Sequence, residues 1–234
     1  MLAAVDFGNP LLWAVFIGWL MSVVVHEFAH GLVALWGGDY TIRERGGLTL
    51  NPLQYVDPLN SLIIPMAIFL IGGVPLPGGV TYVRNDLLRS RLWESLVSLA
   101  GPLSNVLLMV ACLLPLQHGW VSVGASAAES SNTAVFLGAM VMLQALSVLI
   151  NLIPVPPLDG FGVIRPYFRE EFQQRVNQPQ VALIGILAVF MILSGTGLVS
   201  WFFGLLTRAM VFAGVDLDTV LFLPEAFNRA LFGR

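Results

Sequence analysis

The chain has 234 residues, 57% of them hydrophobic and only 11% charged, with a mean hydropathy of +0.83. Soluble domains carry about one quarter charged residues, so this composition excludes an ordinary soluble protein and indicates an integral membrane one. The net charge of -3 is small, every basic residue is an arginine, and no basic tail or stripe of the kind that grips nucleic acid is present.

In chain order, the start from Met1 to Asn9 carries Asp6 and no basic segment, so no cleavable signal peptide is expected. A spanning helix needs roughly 20 apolar residues. Charge-free runs from Phe7 to Val25, Ser95 to Gln117, Thr133 to Ile153 and Val176 to Thr207 meet or approach that length. The first run leads directly into His26-Glu27-Phe28-Ala29-His30 and stays apolar to Trp36. On a helix, residues four apart share a face. His26 and His30 can therefore offer two imidazoles to one tetrahedral zinc, with Glu27 beside the open position, where it can take a proton from water. Ionisable residues within membrane segments are disfavoured and mark function when present.

Arginine placement sets the expected orientation. Arg43 and Arg45 follow the first run, Arg84, Arg89 and Arg91 precede the second, and Arg165, Arg169 and Arg175 follow the third, whereas the loop from His118 to Asn132 has none. By the positive-inside rule the arginine loops are cytoplasmic, and the N-terminus and the His118 loop lie outside. The charge-free stretch Asn60 to Val83, interrupted by prolines and Gly-Gly steps, then has both flanks on one side. It is expected to enter the membrane as a helix over about residues 59–71 and return as an extended arm from Gly72 to Val83 that lines the site; the alternative is one more span. Cys112 lies in an apolar run as a packing residue, and His118 reads as a loop residue.

The last run is too long for one plain crossing and is divided at Gly195-Thr196-Gly197, so it is either one tilted helix or a helix and an interfacial segment. The tail from Val215 to Arg234 reads as an amphipathic surface helix. The expected fold is an all-α polytopic membrane bundle of about five to six spans with a short re-entrant extended hairpin near the site. It forms a single domain over 1–234, with its core at 10–165 and a C-terminal span and tail at 176–234.

Two histidines do not complete a catalytic zinc site, which takes three protein ligands and a water. In Asn151-Leu152-Ile153-Pro154-Val155-Pro156-Pro157-Leu158-Asp159-Gly160 the prolines end the third run's helix, and Asp159 emerges at the end where the first helix carries its histidines. A plain Asp-Gly turn at the membrane surface explains the same residues, and spacing does not choose between the two.

With these stretches the chain resembles the site-2 protease family of intramembrane zinc metallopeptidases. His26 to Gly31 is similar to its HExxH helix, Ala100-Gly101-Pro102-Leu103-Ser104-Asn105 to its AGPxxN helix start, and Asn151 to Gly160 to its NxxPxPxxDG motif. Gly47 to Pro52, followed by Asp57-Pro58-Leu59, resembles the short bacterial members without PDZ or CBS domains. The resemblance implies His26, His30 and Asp159 as ligands of Zn2+ and Glu27 as the catalytic carboxylate. It also suggests Asn105 and Asn151 as polar supports near the substrate backbone, with an interhelical amide bond as the alternative. One departure is that Pro77 to Arg84 stands where the short members carry a Trp-[AG]-Lys-Pro-Val-like strand, and another is Phe161 after Gly160, where many have a second small residue.

A helical substrate hides its carbonyls in its own hydrogen bonds and must be unwound, so the arm containing Gly79, Val80 and Thr81 is the candidate edge for pairing. The implied activity is hydrolysis of membrane-protein substrates, single-span ones above all, by a multi-pass protein in the bilayer of a bacterial inner membrane. The site would face the cytoplasm, with room for an accessory subunit or oligomer and no role for nucleic acid. The competing expectation is a non-catalytic membrane scaffold, against which the presence of Glu27 argues. A metal transporter would need a continuous polar path that the runs do not offer.

Overall fold

The computed structural model describes residues 7–57, 78–176 and 178–233, and its regular structure there is helical throughout. Helix α1 (Pro10–Gly37, 28 residues) starts with proline at its first position, where the missing N–H would have had no partner anyway. Asn9 Oδ1 accepts from the Leu11 N–H at 3.0 Å and caps it. The helix stops where Gly38 takes a φ of +122°; a Cβ there would lie 2.7 Å from the Leu87 carbonyl oxygen, so glycine is needed for both backbone and space.

Helices α2 (Arg91–Gln117, 27 residues) and α3 (Asn132–Asn151, 20 residues) follow, the latter with Ser131 Oγ accepting from the Ala134 N–H at 3.2 Å. Together with α1 they are the three described helices long and apolar enough to cross a membrane, and α3 is the most enclosed by protein. After the proline-rich segment come α4 (Asp159–Ile164), α5 (Glu170–Val176), α6 (Pro179–Gly195), α7 (Leu198–Phe212) and α8 (Leu217–Phe232). The pair α5 and α6 bends by 72° and would count as a fourth span.

The protein is thus a helical membrane protein with three to four candidate spans among the described residues, against about five to six expected. One reason is that α7 has 15 residues, short of the roughly 20 a crossing needs. The other is that the expected entering helix at 59–71 lies outside the described residues, as does the arm up to 77. Of the expected hairpin only Gly78 to Val83 is described, and it is not helical. The final apolar run divides where expected, with Gly197 in the left-handed region at φ +67° between α6 and α7.

Contacts group the chain into two compact units. The first comprises Met1–Trp19, Asn105–Ser147 and Gly197–Arg234. Inside it α3 uses glycine for close packing: a Cβ at Gly138 would lie 2.7 Å from Ala226 Cβ and 3.1 Å from Phe222, both on α8. The apolar face of α8 is buried there through Val220, Phe222, Leu223, Ala226 and Leu231. Its polar groups are tied down as well. Glu225 accepts from the Ala127 N–H at 3.2 Å, Arg229 donates to the Ser130 carbonyl at 3.2 Å, and Asn9 donates to the carbonyls of Arg229 and Ala230.

The second unit comprises Leu20–Ser104 and Val148–Thr196 and holds His26, Glu27, His30 and Asp159. For the first unit, Gly138→Val should overpack the α3–α8 contact and lower stability by about 1–3 kcal/mol. Thermal unfolding in detergent micelles checks this, and an unchanged midpoint would contradict the packing.

Candidate metal centre

His26, Glu27 and His30 are all buried, although they sit in an apolar helix. The two imidazoles meet edge to face with centroids 4.7 Å apart and with their Nε2 atoms separated by 3.0 Å. Asp159, the first residue of α4, closes the group: its Oδ2 is 3.1 Å from His26 Nε2 and its Oδ1 is 3.3 Å from His30 Nε2. Bonds of roughly 2.0–2.1 Å to a tetrahedral zinc place neighbouring ligand atoms about 3.3 Å apart. The imidazole separation and the approach of the Asp159 carboxylate to both rings are of that size, and this is the one cluster among the described residues that could hold a metal ion.

The protonation pattern fits a cation too. His30 Nδ1 lies 2.6 Å from the Val97 carbonyl oxygen. That oxygen can only accept, so Nδ1 donates to it and Nε2 is the ring atom left to face Asp159. Asp159 Oδ2 is buried and takes no hydrogen bond from the protein. Acceptor atoms that converge in this way call for a positive centre between them.

Local structure explains why these groups meet. The helical spacing of four puts both histidines on one face of α1. Facing them, α2 presents Gly101, where a Cβ would fall on the Nε2 atoms of both rings, so only a residue without a side chain admits the pair. The first turns of α2 also hold α4: Ser95 Oγ donates to the Val163 carbonyl at 2.7 Å, Glu94 pairs with Arg165 at 3.5 Å, and a Cβ on Gly162 would strike Ser98. Gly160 packs against the Leu152 and Ile153 carbonyls, where a side chain would displace the turn that presents Asp159.

The described part of the extended arm passes Glu27. A Cβ on Gly79 would lie 2.8 Å from Glu27 Cγ, and Thr81 Oγ1 donates to the Glu27 carbonyl at 3.0 Å. Val80 N–H donates to the Tyr55 carbonyl at 3.0 Å, and Tyr82 OH donates to Asp57 at 2.6 Å.

Asn105 lies in the other unit, where its amide donates to Ser147 Oγ and joins α2 to α3, the interhelical alternative. Asn151 is the last residue of α3 and belongs to the unit of the metal cluster. Sequence reasoning missed the Val97 carbonyl, Ser95, Arg165 and the clearance at Gly101. Only the small residue of Ala100-Gly101-Pro102 carried a signal for any of them.

The comparisons with known proteins agree with this geometry. The chain is 39% identical over 218 residues to "Putative zinc metalloprotease Rip2" of Mycolicibacterium smegmatis, covering 91% of this chain and 81% of that protein. It is 33% identical over 216 residues to the protein of the same name from Mycobacterium tuberculosis, covering 89% and 79%. The chain belongs to the site-2 protease family. A shorter likeness, 32% over 163 residues, links it to "Putative zinc metalloprotease YwhC" of Bacillus subtilis, covering 69% and 72%. No family model and no solved structure matches the chain.

Zinc is accordingly the cofactor of this family member, and the cluster of His26, His30 and Asp159 fits it. Replacing either histidine by Ala should bring bound zinc in the purified protein to near background by metal analysis. Gly101→Val should lower it as well by crowding both rings. Undiminished stoichiometry in the histidine variants would remove the ligand assignment.

Proposed function

We propose that this zinc metalloprotease is an endopeptidase acting inside the membrane, hydrolysing a peptide bond in or near the membrane segment of a membrane-protein substrate, single-span proteins above all. The observation that carries this reading is the position of Glu27. Its side chain, in a residue only 6% exposed, lies between the ligand helix and a backbone arm that passes within van der Waals contact. A structural zinc site has no use for a carboxylate there.

Zinc, when bound by His26, His30 and Asp159, supplies a Lewis acid that acidifies water and polarises a carbonyl. Glu27 would act as general base, taking the proton from the attacking water and returning it to the leaving amine nitrogen. The Val97 carbonyl would hold the His30 ring in one tautomer and orientation throughout. Burial of the site limits competing water and strengthens every one of these interactions.

Substrate would pair with the arm as an added strand. The backbone groups of Val80 and Tyr82 are engaged on one edge, by the Tyr55 carbonyl and by Arg45. In an extended chain those of Gly79, Thr81 and Val83 point to the other edge. Among the described residues nothing hydrogen-bonds to the backbone of these three, so this is the edge we assign to substrate. Asn151 would support the substrate backbone from the end of α3. The arginine loops support a site that faces the cytoplasm, and the inner membrane of a bacterial cell is the location that goes with this reading.

Two experiments test the reading. Glu27→Gln should keep zinc and fold but slow cleavage of a single-span substrate by at least about 100-fold, the lower range for loss of a general base; turnover at the wild-type rate would defeat the assignment. Thr81→Pro removes one backbone donor from the assigned edge and should slow cleavage without loss of zinc. Unimpaired cleavage by that variant would refute the pairing edge.

A further inference from the structure

We propose that Asp39 is the positioning residue of the substrate-pairing arm, setting which edge of the arm is turned outward. This rests on the reading of Gly78 to Val83 as that arm. Asp39 follows the glycines that end α1, and its side chain is 0% exposed. A carboxylate so placed must be met by donors.

Its Oδ1 accepts from the Thr41 N–H at 3.1 Å and from Thr41 Oγ1 at 2.5 Å, which caps the short 3-10 turn Tyr40–Ile42. Capping alone would need only that oxygen. The second oxygen reaches across 45 residues of sequence to accept from the Arg84 N–H at 2.8 Å. Asp39 also pairs with Arg45 Nη2 at 3.3 Å, and the other guanidinium nitrogen, Nη1, donates to the Tyr82 carbonyl at 2.8 Å.

Combined with the Val80 bond to Tyr55, these contacts fall on residues 80, 82 and 84, the period of two that marks one edge of an extended chain. All the partners come from the segment between Asp39 and Tyr55. A slip of one residue would exchange the edges, tying down Gly79, Thr81 and Val83 and turning the engaged groups toward substrate. Asp39 controls two of the three fastenings, one directly and one through Arg45. It touches neither the metal ligands nor Glu27 in the described contacts.

The test uses purified, zinc-loaded full-length protein and a synthetic single-span substrate that the wild type cleaves. Zinc content, KM, kcat and the cleavage position by mass spectrometry are read for Asp39→Asn and Arg45→Gln. Asp39→Asn keeps an oxygen for the Thr41 cap but loses the ionic hold on Arg45. Arg45→Gln breaks the link to Tyr82 at a side chain already 36% exposed, so it decides the matter even if the buried substitution fails to fold.

Expected are unchanged zinc, a KM raised about tenfold or more, as for a lost charge-assisted hydrogen bond, a kcat changed far less, and additional cleavage positions. Wild-type KM with a single cleavage position in Arg45→Gln would overturn the proposal, as would loss of zinc from that variant. If Thr81→Pro slows cleavage while both variants behave as wild type, the arm is the pairing edge and Asp39 does not set it. If Thr81→Pro cleaves normally, the arm itself is misassigned and this role falls with it.

Discussion

An ionisable group in an apolar medium persists only where opposite charge or hydrogen bonds replace the lost water, and this requirement shapes the second unit of the protein. Helix α1 carries two imidazoles and a carboxylate in an otherwise apolar segment. His30 satisfies one ring nitrogen on a backbone carbonyl and offers the other to Asp159. Asp159 in turn has an imidazole nitrogen beside each of its oxygens. A divalent cation between His26, His30 and Asp159 would answer all three groups at once.

The first turns of α2 are where that requirement is met mechanically. Val97 orients His30 on α1, Gly101 leaves room for both rings, and Ser95 and Glu94 hold the short helix that begins with Asp159. Residues 97 and 101 share one face and residues 94, 95 and 98 the neighbouring one, so a single rigid element references both parts of the ligand set. A helix is better suited to this than a loop, because its backbone hydrogen bonds are already made and its side chains keep fixed spacing.

Backbone polarity imposes the complementary demand on the non-helical segments. A chain without helix or sheet partners must have its N–H and C=O groups met from elsewhere. At Val80, Tyr82 and Arg84 that supply comes from Tyr55, Arg45 and Asp39, so among the described residues it reaches alternate positions. Among the described residues the arm is thereby anchored along one edge, opposite the edge proposed for substrate. Close approach through glycine recurs at Gly79, Gly101 and Gly138, as expected where apolar burial alone cannot draw helices together in lipid.

Features that depend on local pattern were legible in the sequence. Composition and run length specified a helical membrane protein, the four-residue spacing put His26 and His30 on one face, and the glycines at 195 and 197 marked the break between α6 and α7. The proline-rich segment placed Asp159 at the end of a helix but left a plain turn equally open, because spacing holds no information on what lies opposite. Tertiary structure decided the rest. The Val97 carbonyl, the clearance at Gly101, the Ser147 partner of Asn105 and the reach of Asp39 to Arg84 each join residues far apart in the chain. A carbonyl is the same in every residue and a missing Cβ shows its purpose only when a neighbour fills the space, so these roles come into being when the helices pack.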